Sequence, residues 1–218
     1  MKKTLLYSIT ILVLFGSCSN KKVKQGSIAY TIEYQLPDSL NKYLAYLPKS
    51  AMVYFKGDSA VSIQQMNDES TTIIIDKTTH FMRALLRSNT KKYVIDYDTI
   101  EQAKEANARL GYTYQAGAET KTIAGYKALK YTLTNKETLE QSEVWFTKDI
   151  SVVPNSLTMA FDTIHGFPVA FITNQGGMLI KHTVKQIKFE PAPAGVFSTP
   201  AGYEPLTPKQ LREMPVEN

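Results

Sequence analysis

The sequence predicts a mainly β chain, β-rich α+β in class: a strongly bent antiparallel sheet forming an incomplete barrel with two or three short helices. Three observations carry this expectation. Apolar and polar residues alternate with a period of two in many short runs. The runs are separated by tight, glycine-containing or polar turn signals, so that consecutive strands read as hairpins. Helical spacing is confined to a few short stretches.

In chain order, residues 26–36 (GSIAYTIEYQL) place Ile28, Tyr30, Ile32, Tyr34 and Leu36 on one face of a half-buried strand. Pro37-Asp38-Ser39 then starts a short helix with Leu40, Tyr43, Leu44 and Leu47 on one stripe, stopped by Pro48. Residues 51–55 and 60–65 flank a glycine turn, and 71–75 and 80–86 flank a second turn, giving two hairpins. Residues 92–97 (KYVIDY) form a further strand that aligns Tyr93, Ile95 and Tyr97. Residues 98–110 form the best helix, with Asp98 or Thr99 as cap and Gly111 at the end. Strands resume at 112–116, 119–123, 126–134 and 143–147, with a possible short one at 158–161. Residues 167–173 and 178–189 flank Asn174-Gln175-Gly176-Gly177, a strong turn signal. The proline-rich stretch from Pro191 crosses the surface as extended chain, and Thr207-Pro208 starts a last helical turn. Ten to twelve strands are too many for one flat sheet, so the sheet is expected to curl or split.

The N-terminus predicts where the protein resides. Met1-Lys2-Lys3 is a positive n-region, residues 5–15 are an apolar h-region, and Gly16-Ser17 are small, which together make a secretory signal. The apolar run is about half the roughly twenty residues a spanning helix needs. Cys18 is the only cysteine of the chain and has no intramolecular disulfide partner. Residues 15–18 (FGSC) resemble a bacterial lipobox, and that resemblance implies cleavage before Cys18 and a diacylglycerol thioether on its sulfur. The chain then divides into a lipoprotein signal peptide (1–17), a lipidated tether (18–25), one domain (26–206) and a C-terminal tail (207–218). The residues after Cys18 carry no acidic cluster. By likeness to bacterial lipoproteins this implies a Gram-negative cell envelope, with an outer-membrane lipoprotein facing the periplasm.

Without residues 1–17 the chain has 23 basic and 20 acidic residues, a charge of +3. That balance, with no arginine patch, excludes nucleic acid as the natural partner. The predicted partners are the membrane, through the lipid on Cys18, and a hydrophobic small molecule or lipid.

Chemical motifs are missing. His80, His165 and His182 lack metal-ligand spacing, so no metal site and no cofactor is predicted. Asp96 and Asp98 share a strand face that alternation already makes a solvated one. No G-x-S-x-G elbow and no phosphate loop occurs, so no catalytic residue is assigned and the chain is not expected to be an enzyme. Lys121, Lys127, Lys130, Lys181, Lys185 and Lys188 read as a solvated strand face rather than a headgroup-binding strip.

Four stretches, GSIAYTIEY, KTIAGYKALKYTL, EVWFTKDI and FSTPAGYEPL, resemble Gram-negative lipoprotein domains of the LolA/LolB-like type, and within it an uncharacterised periplasmic family. The resemblance implies an incomplete barrel whose concave face holds hydrophobic molecules such as acyl chains. A hollow β wall suits tyrosine, whose ring is apolar and whose hydroxyl tolerates water. The candidate lining residues are Tyr30, Tyr34, Tyr93, Tyr97, Leu129, Tyr131 and Trp145. Trp145 fits a pocket wall and packing beneath a helix equally well. The expected function is non-catalytic binding of a hydrophobic or lipid-like ligand in a concave sheet. The alternative is a scaffold or partner-binding envelope protein whose concave face is filled by its own side chains.

Overall fold

The computed structural model describes residues 25–99, 111–175 and 177–214. They form a single sheet of twelve strands: β1 (Gln25–Gln35), β2 (Ser50–Lys56), β3 (Ser59–Met66), β4 (Glu69–Asp76), β5 (Phe81–Arg87), β6 (Lys92–Tyr97), β7 (Tyr112–Ile123), β8 (Tyr126–Asn135), β9 (Gln141–Thr147), β10 (Phe167–Gln175), β11 (Met178–Lys188) and β12 (Glu204–Leu206). The spatial order is β12-β6-β5-β4-β3-β2-β1-β11-β10-β9-β8-β7. Two hairpin meanders, β1 to β6 and β7 to β11, are therefore joined where β1 lies antiparallel to β11.

The predicted strands at 26–36, 51–55, 60–65, 71–75, 80–86, 92–97, 126–134, 143–147, 167–173 and 178–189 are all present to within a few residues. Residues 112–116 and 119–123 prove to be one strand, β7, whose ladder to β8 is interrupted by a bulge between Ala116 and Thr120. Residues 158–161 are turns, not a strand. The tail carries a strand that alternation could not reveal: β12 has three residues, one of them Pro205, and adds to β6 in parallel. That makes the sheet mixed rather than purely antiparallel.

Three corrections concern shape. The sheet is open, with β12 at one edge and β7 at the other, and it is not closed into a barrel. It is also not strongly curled. The predicted stripe at 39–47 is a 3-10 segment, Asp38–Tyr46, with no buried residue. Its N-terminus has no side-chain cap, and the apolar stripe has no surface to pack on. Helix α1 (Pro208–Glu213) follows the predicted Thr207-Pro208 start: the Thr207 hydroxyl accepts from the Gln210 N–H, and Gln210 accepts from the Thr207 N–H, a capping box. Residues 100–110 of the helix predicted at 98–110, and Cys18, lie outside the described residues.

Two covers, one on each face, bury the sheet. The first face carries Ile28, Tyr30, Ile32, Val53, Phe55, Val144, Phe146, Val169, Phe171 and Val184, all nearly inaccessible. Over β8 to β11 it is filled by the β9–β10 connection, from which Ile150, Val152, Val153, Leu157 and Phe161 pack inward. The second face has its own apolar cluster on β3 to β6. There Val61, Ile74 and Leu85 are covered by Val196, Phe197 and Tyr203 of the tail. Arg83 fixes that cover, bonding Asp96 on the neighbouring strand through two nitrogens and donating to the Thr199 hydroxyl at 2.8 Å.

The seam between the meanders tolerates little added volume. A Cβ on Gly26 would strike the Lys188 carbonyl of β11 and lie 2.7 Å from the Phe55 ring of β2. Gly26→Ala is therefore expected to lower unfolding free energy in urea by about 1–3 kcal/mol, the usual range for overpacking. A wild-type midpoint would contradict this packing of the seam.

Candidate functional site

Register places six of the seven candidate residues on the first face. Tyr30 pairs with Val184, and Tyr34 with Ile180. Tyr131 pairs with Val144, and Leu129 with Phe146. Tyr93 and Tyr97 align with Leu86 and Met82. Trp145 pairs with Lys130 and Ala170 and points to the second face. It therefore does not share a wall with the others. A strand apolar on both faces gave the sequence no way to decide this.

The six residues do not line one hollow. Under β1 and β8 to β11 the face is filled by the chain itself. The His165 ring sits 4.5 Å from that of Tyr114, 4.9 Å from Tyr131 and 5.7 Å from Phe146. Phe161 meets Phe171 at 4.9 Å, and Phe171 stacks on His182 at 4.8 Å. The connection is locked in place by turn bonds: the Asn155 side-chain oxygen accepts from the Leu157 N–H at 3.0 Å, and the Asp162 N–H donates to the Tyr114 hydroxyl at 3.0 Å. Gly166 has a φ of 117°, and a side chain there would collide with the Thr147 carbonyl.

This filled region holds polar atoms in an apolar setting. The Tyr30 hydroxyl, Asn155 Nδ2 and His182 Nδ1 are buried with no hydrogen-bond partner of good geometry. Burial pushes the Tyr30 hydroxyl up, and the nearby Asn155 amide offsets this in part. Burial also pushes the His182 imidazole down to about 4, with the Ile180 backbone opposing the shift. Sequence spacing could not separate this buried histidine from an exposed one.

The opposite end of the same face keeps a hollow. A cavity of about 430 Å³ lies where β3 to β6 meet the 3-10 segment; Tyr46, Pro48, Met66, Leu86, Tyr93 and Met214 form the apolar part of its wall, and Gln64, Glu69, Ser70, Thr71, Arg87, Ser88 and Lys91 form the polar part. Tyr34 stands next to it and holds its lip, because its hydroxyl donates to the Pro48 carbonyl at 2.9 Å. Tyr93 is thus the one candidate residue in the wall, with Tyr34 supporting it. Met66, Leu86 and Tyr46 were missed: strand alternation puts Leu86 on the right face, but only tertiary pairing brings the strand ends and the 3-10 segment together. A larger hollow of about 710 Å³ lies at the other pole, between the turns at Gly57-Asp58 and Lys77 and the residues Val152 to Pro154. Val152, Val153 and Pro154 give it an apolar side, facing Lys56, Asp58, Lys77 and turn backbone, and none of the candidate residues lines it.

The environment of Trp145 on the second face is electrostatic. The Lys121 ammonium lies 3.8 Å from the ring centroid and that of Lys130 5.6 Å, a cation–π pair over one indole. Lys130 bonds Glu143 at 2.7 Å and approaches Glu119 at 3.4 Å, and Lys181 bonds Glu33 at 3.1 Å. Lys130 holds the Glu143 carboxyl below the ordinary range. Lys121, Lys130 and Lys181 thus have partners on the protein, as expected of a solvated strand face.

Against known proteins, residues 42–162, more than half of the chain, match a domain of unknown function, DUF4412. The chain belongs to the DUF4412 family. The matched residues run from within the 3-10 segment through β2 to β9 and most of the β9–β10 connection, so the DUF4412 region contains most of the hollow's wall and the segment that fills the other half of the face. No curated protein matches. Among solved structures, PNGF-II, determined in a C2 crystal form, is similar at 12% identity with a TM-score of 0.50. The similarity covers 87% of this chain and 32% of that one, so the chain spans about a third of PNGF-II and shares its fold there. Neither comparison carries the LolA/LolB resemblance.

His182 gives the DUF4412 chain a pH-dependent stability with a definite sign. In the unfolded chain the imidazole titrates near the usual value of about 6.5. In the folded chain it stays neutral down to about 4. The unfolded state therefore binds the extra proton first, and stability drains as pH falls from about 6.5 to about 4, by about 3 kcal/mol in all. Urea midpoints measured across that window should fall in the wild type and flatten in His182→Leu. Parallel slopes for the two proteins would refute the assignment.

Proposed function

We propose that this DUF4412 protein is a lipid-anchored envelope protein that binds a hydrophobic or lipid-like molecule without catalysing a reaction. Its ligand site is the hollow at the β3–β6 end of the sheet. The observation that carries this reading is the 430 Å³ cavity in which Met66, Leu86, Tyr93 and Tyr46 form an apolar wall on strands and a fixed lip. A hollow of this size falls in the range of small-molecule sites, which are mostly apolar with a few polar groups for orientation. Here the polar share is larger, about half of the wall, with Gln64, Glu69, Thr71, Arg87 and Lys91 among the polar side chains. Each 100 Å² of ligand surface buried there contributes about 2.5 kcal/mol.

The proposed anchor is a lipid on Cys18, placing the domain at the periplasmic face of a Gram-negative outer membrane. Two or three acyl chains hold a protein stably in a bilayer, where one does not. The LolA/LolB resemblance supports a hydrophobic cargo, which in this reading sits at one end of an open sheet rather than in a concave barrel.

A second reading is favoured by the filled half of the face. His165, Phe161 and Phe171 occupy the space expected for a ligand near Tyr30 and Tyr131, as in a scaffold with a self-filled core. The two readings part at the hollow. Organic extraction of the chain from Ser19 onward, purified from the periplasm, should yield a near-stoichiometric apolar molecule by mass spectrometry. Leu86→Arg, which places a charge in the wall, should reduce it by tenfold or more. Trp145→Phe should leave it unchanged, because that ring faces away. A clean extract, with no binding of added lipids, would overturn the ligand reading in favour of the scaffold.

A further inference from the structure

The 3-10 segment Asp38–Tyr46 lies at the lip of the hollow and buries none of its residues. Leu40, Tyr43, Leu44 and Tyr46 leave 37, 49, 39 and 70% of their surface in water. Four large apolar side chains in seven consecutive positions form a patch, unlike the scattered single residues normal on a surface. Two more exposed apolar residues belong to the same pole: Met214, which shares the wall of the hollow with Tyr46, and Leu179, paired with Gln35 just before the segment. The segment is tied down at its C-terminal side by the Tyr34–Pro48 bond and by the Ile32 N–H donating to the Lys49 carbonyl at 2.9 Å.

Charge identifies what covers the patch. Lys42 lies within it, with its ammonium 4.9 Å from the Tyr43 ring centroid, and Lys49 follows directly. Arg87 and Lys91 lie on the adjoining wall. Counting helix α1, which is capped by Met214, the cations of this pole are Lys42, Lys49, Arg87, Lys91, Lys209 and Arg212 and the acidic residues Asp38, Asp68, Glu69 and Glu213, so cations are in excess. Tyrosine and leucine beside lysine is the composition of an element that rests in a bilayer interface, with rings and aliphatic chains at acyl depth and ammonium groups at the headgroups.

We infer that the 3-10 segment docks the hollow onto a lipid bilayer bearing anionic headgroups. The inference rests on the proposed ligand reading for its purpose, since a water-insoluble ligand needs an apolar path to the cavity. Tyr46 provides the continuity, belonging both to the exposed patch and to the cavity wall. The docking pole lies at the far end of β1 from Gln25, about 33 Å away at the usual rise per residue.

The test is flotation of the chain from Ser19 onward, which contains every described element, with phosphatidylcholine vesicles with and without phosphatidylglycerol. The wild type should float with the anionic vesicles and less with the neutral ones. Tyr43→Ser combined with Leu44→Ser should cut flotation at least tenfold, given about 1.5–3 kcal/mol for each apolar side chain withdrawn from lipid. Lys42→Glu with Lys49→Glu should remove the preference for phosphatidylglycerol, and Ile164→Ser, also on an exposed apolar residue, should change nothing. All four side chains substituted at the lip are exposed, so unchanged urea midpoints are expected and check the fold. A wild type that does not float, or a Tyr43/Leu44 variant that floats equally well, overturns the inference. A protein that yields an extractable ligand but never floats sinks the docking surface and spares the binding reading. One that floats but yields no ligand does the reverse.

Discussion

The ladder between β1 and β11 is the contact on which the rest of the structure depends. It joins the first strand of the described fold to the last strand of the second meander, with Thr31 donating to the Thr183 carbonyl across 152 residues of chain. Without it there are two separate meanders, and the tail that leaves β11 is not brought to the second face of the first meander, which it covers. With it, Ile28, Tyr30 and Ile32 from β1 meet Val184 and His182 from β11 and form the middle of one continuous core. The closeness of Gly26 to Lys188 and Phe55 belongs to the same seam. A contact of such sequence separation is entropically expensive to form and comes late, so the meanders are expected to form before the seam.

The seam makes a sheet of twelve strands, and such a sheet has more apolar surface than the few helical turns among the described residues cover. The covers are irregular instead. The β9–β10 connection lies on the first face over the second meander, and the tail lies on the second face over the first meander. Irregular covers need internal hydrogen bonds, which explains the side-chain turns at Asn155 and Asp162 and the glycine at 166. They also leave orphaned groups, of which the Tyr30 hydroxyl and His182 Nδ1 are the clearest.

Local chemistry explains what could be read from sequence. The period-two runs and their glycine and asparagine turns are properties of adjacent residues, and strands such as residues 92–97 were recovered to the residue. The face of Tyr30 or Tyr131 followed from the same alternation. What escaped depends on partners distant in sequence. β12 contains a proline and three residues, and it is a strand only because β6 offers a free edge. The stripe of Leu40, Tyr43 and Leu44 read as a buried helix because periodicity records which residues share a face, not whether anything packs there. Trp145 sits on a strand apolar on both sides, so its direction came from pairing with Lys130. The expected barrel failed for a related reason: strand number sets the width of a sheet, while closure requires the two edges to meet, and β12 occupies one of them.

The division of the first face has a consequence for the site that does not depend on the ligand. Where the β9–β10 connection lies, aromatic rings are in mutual contact and any guest would have to displace Phe161 and His165 from Phe171, Tyr131 and Tyr114. Truncating a packed aromatic side chain costs about 3–5 kcal/mol, and a guest must recover at least that before it gains affinity. At the lip formed by Pro48, Tyr46 and the ends of β3 to β6, no such displacement is required, because the space is already open and its boundary is held by the Tyr34 hydroxyl rather than by packed rings. Binding energy spent on rearrangement is lost to affinity. At the lip a hydrophobic molecule could enter without displacing packed rings, and the same end of the sheet carries the exposed apolar residues of the 3-10 segment.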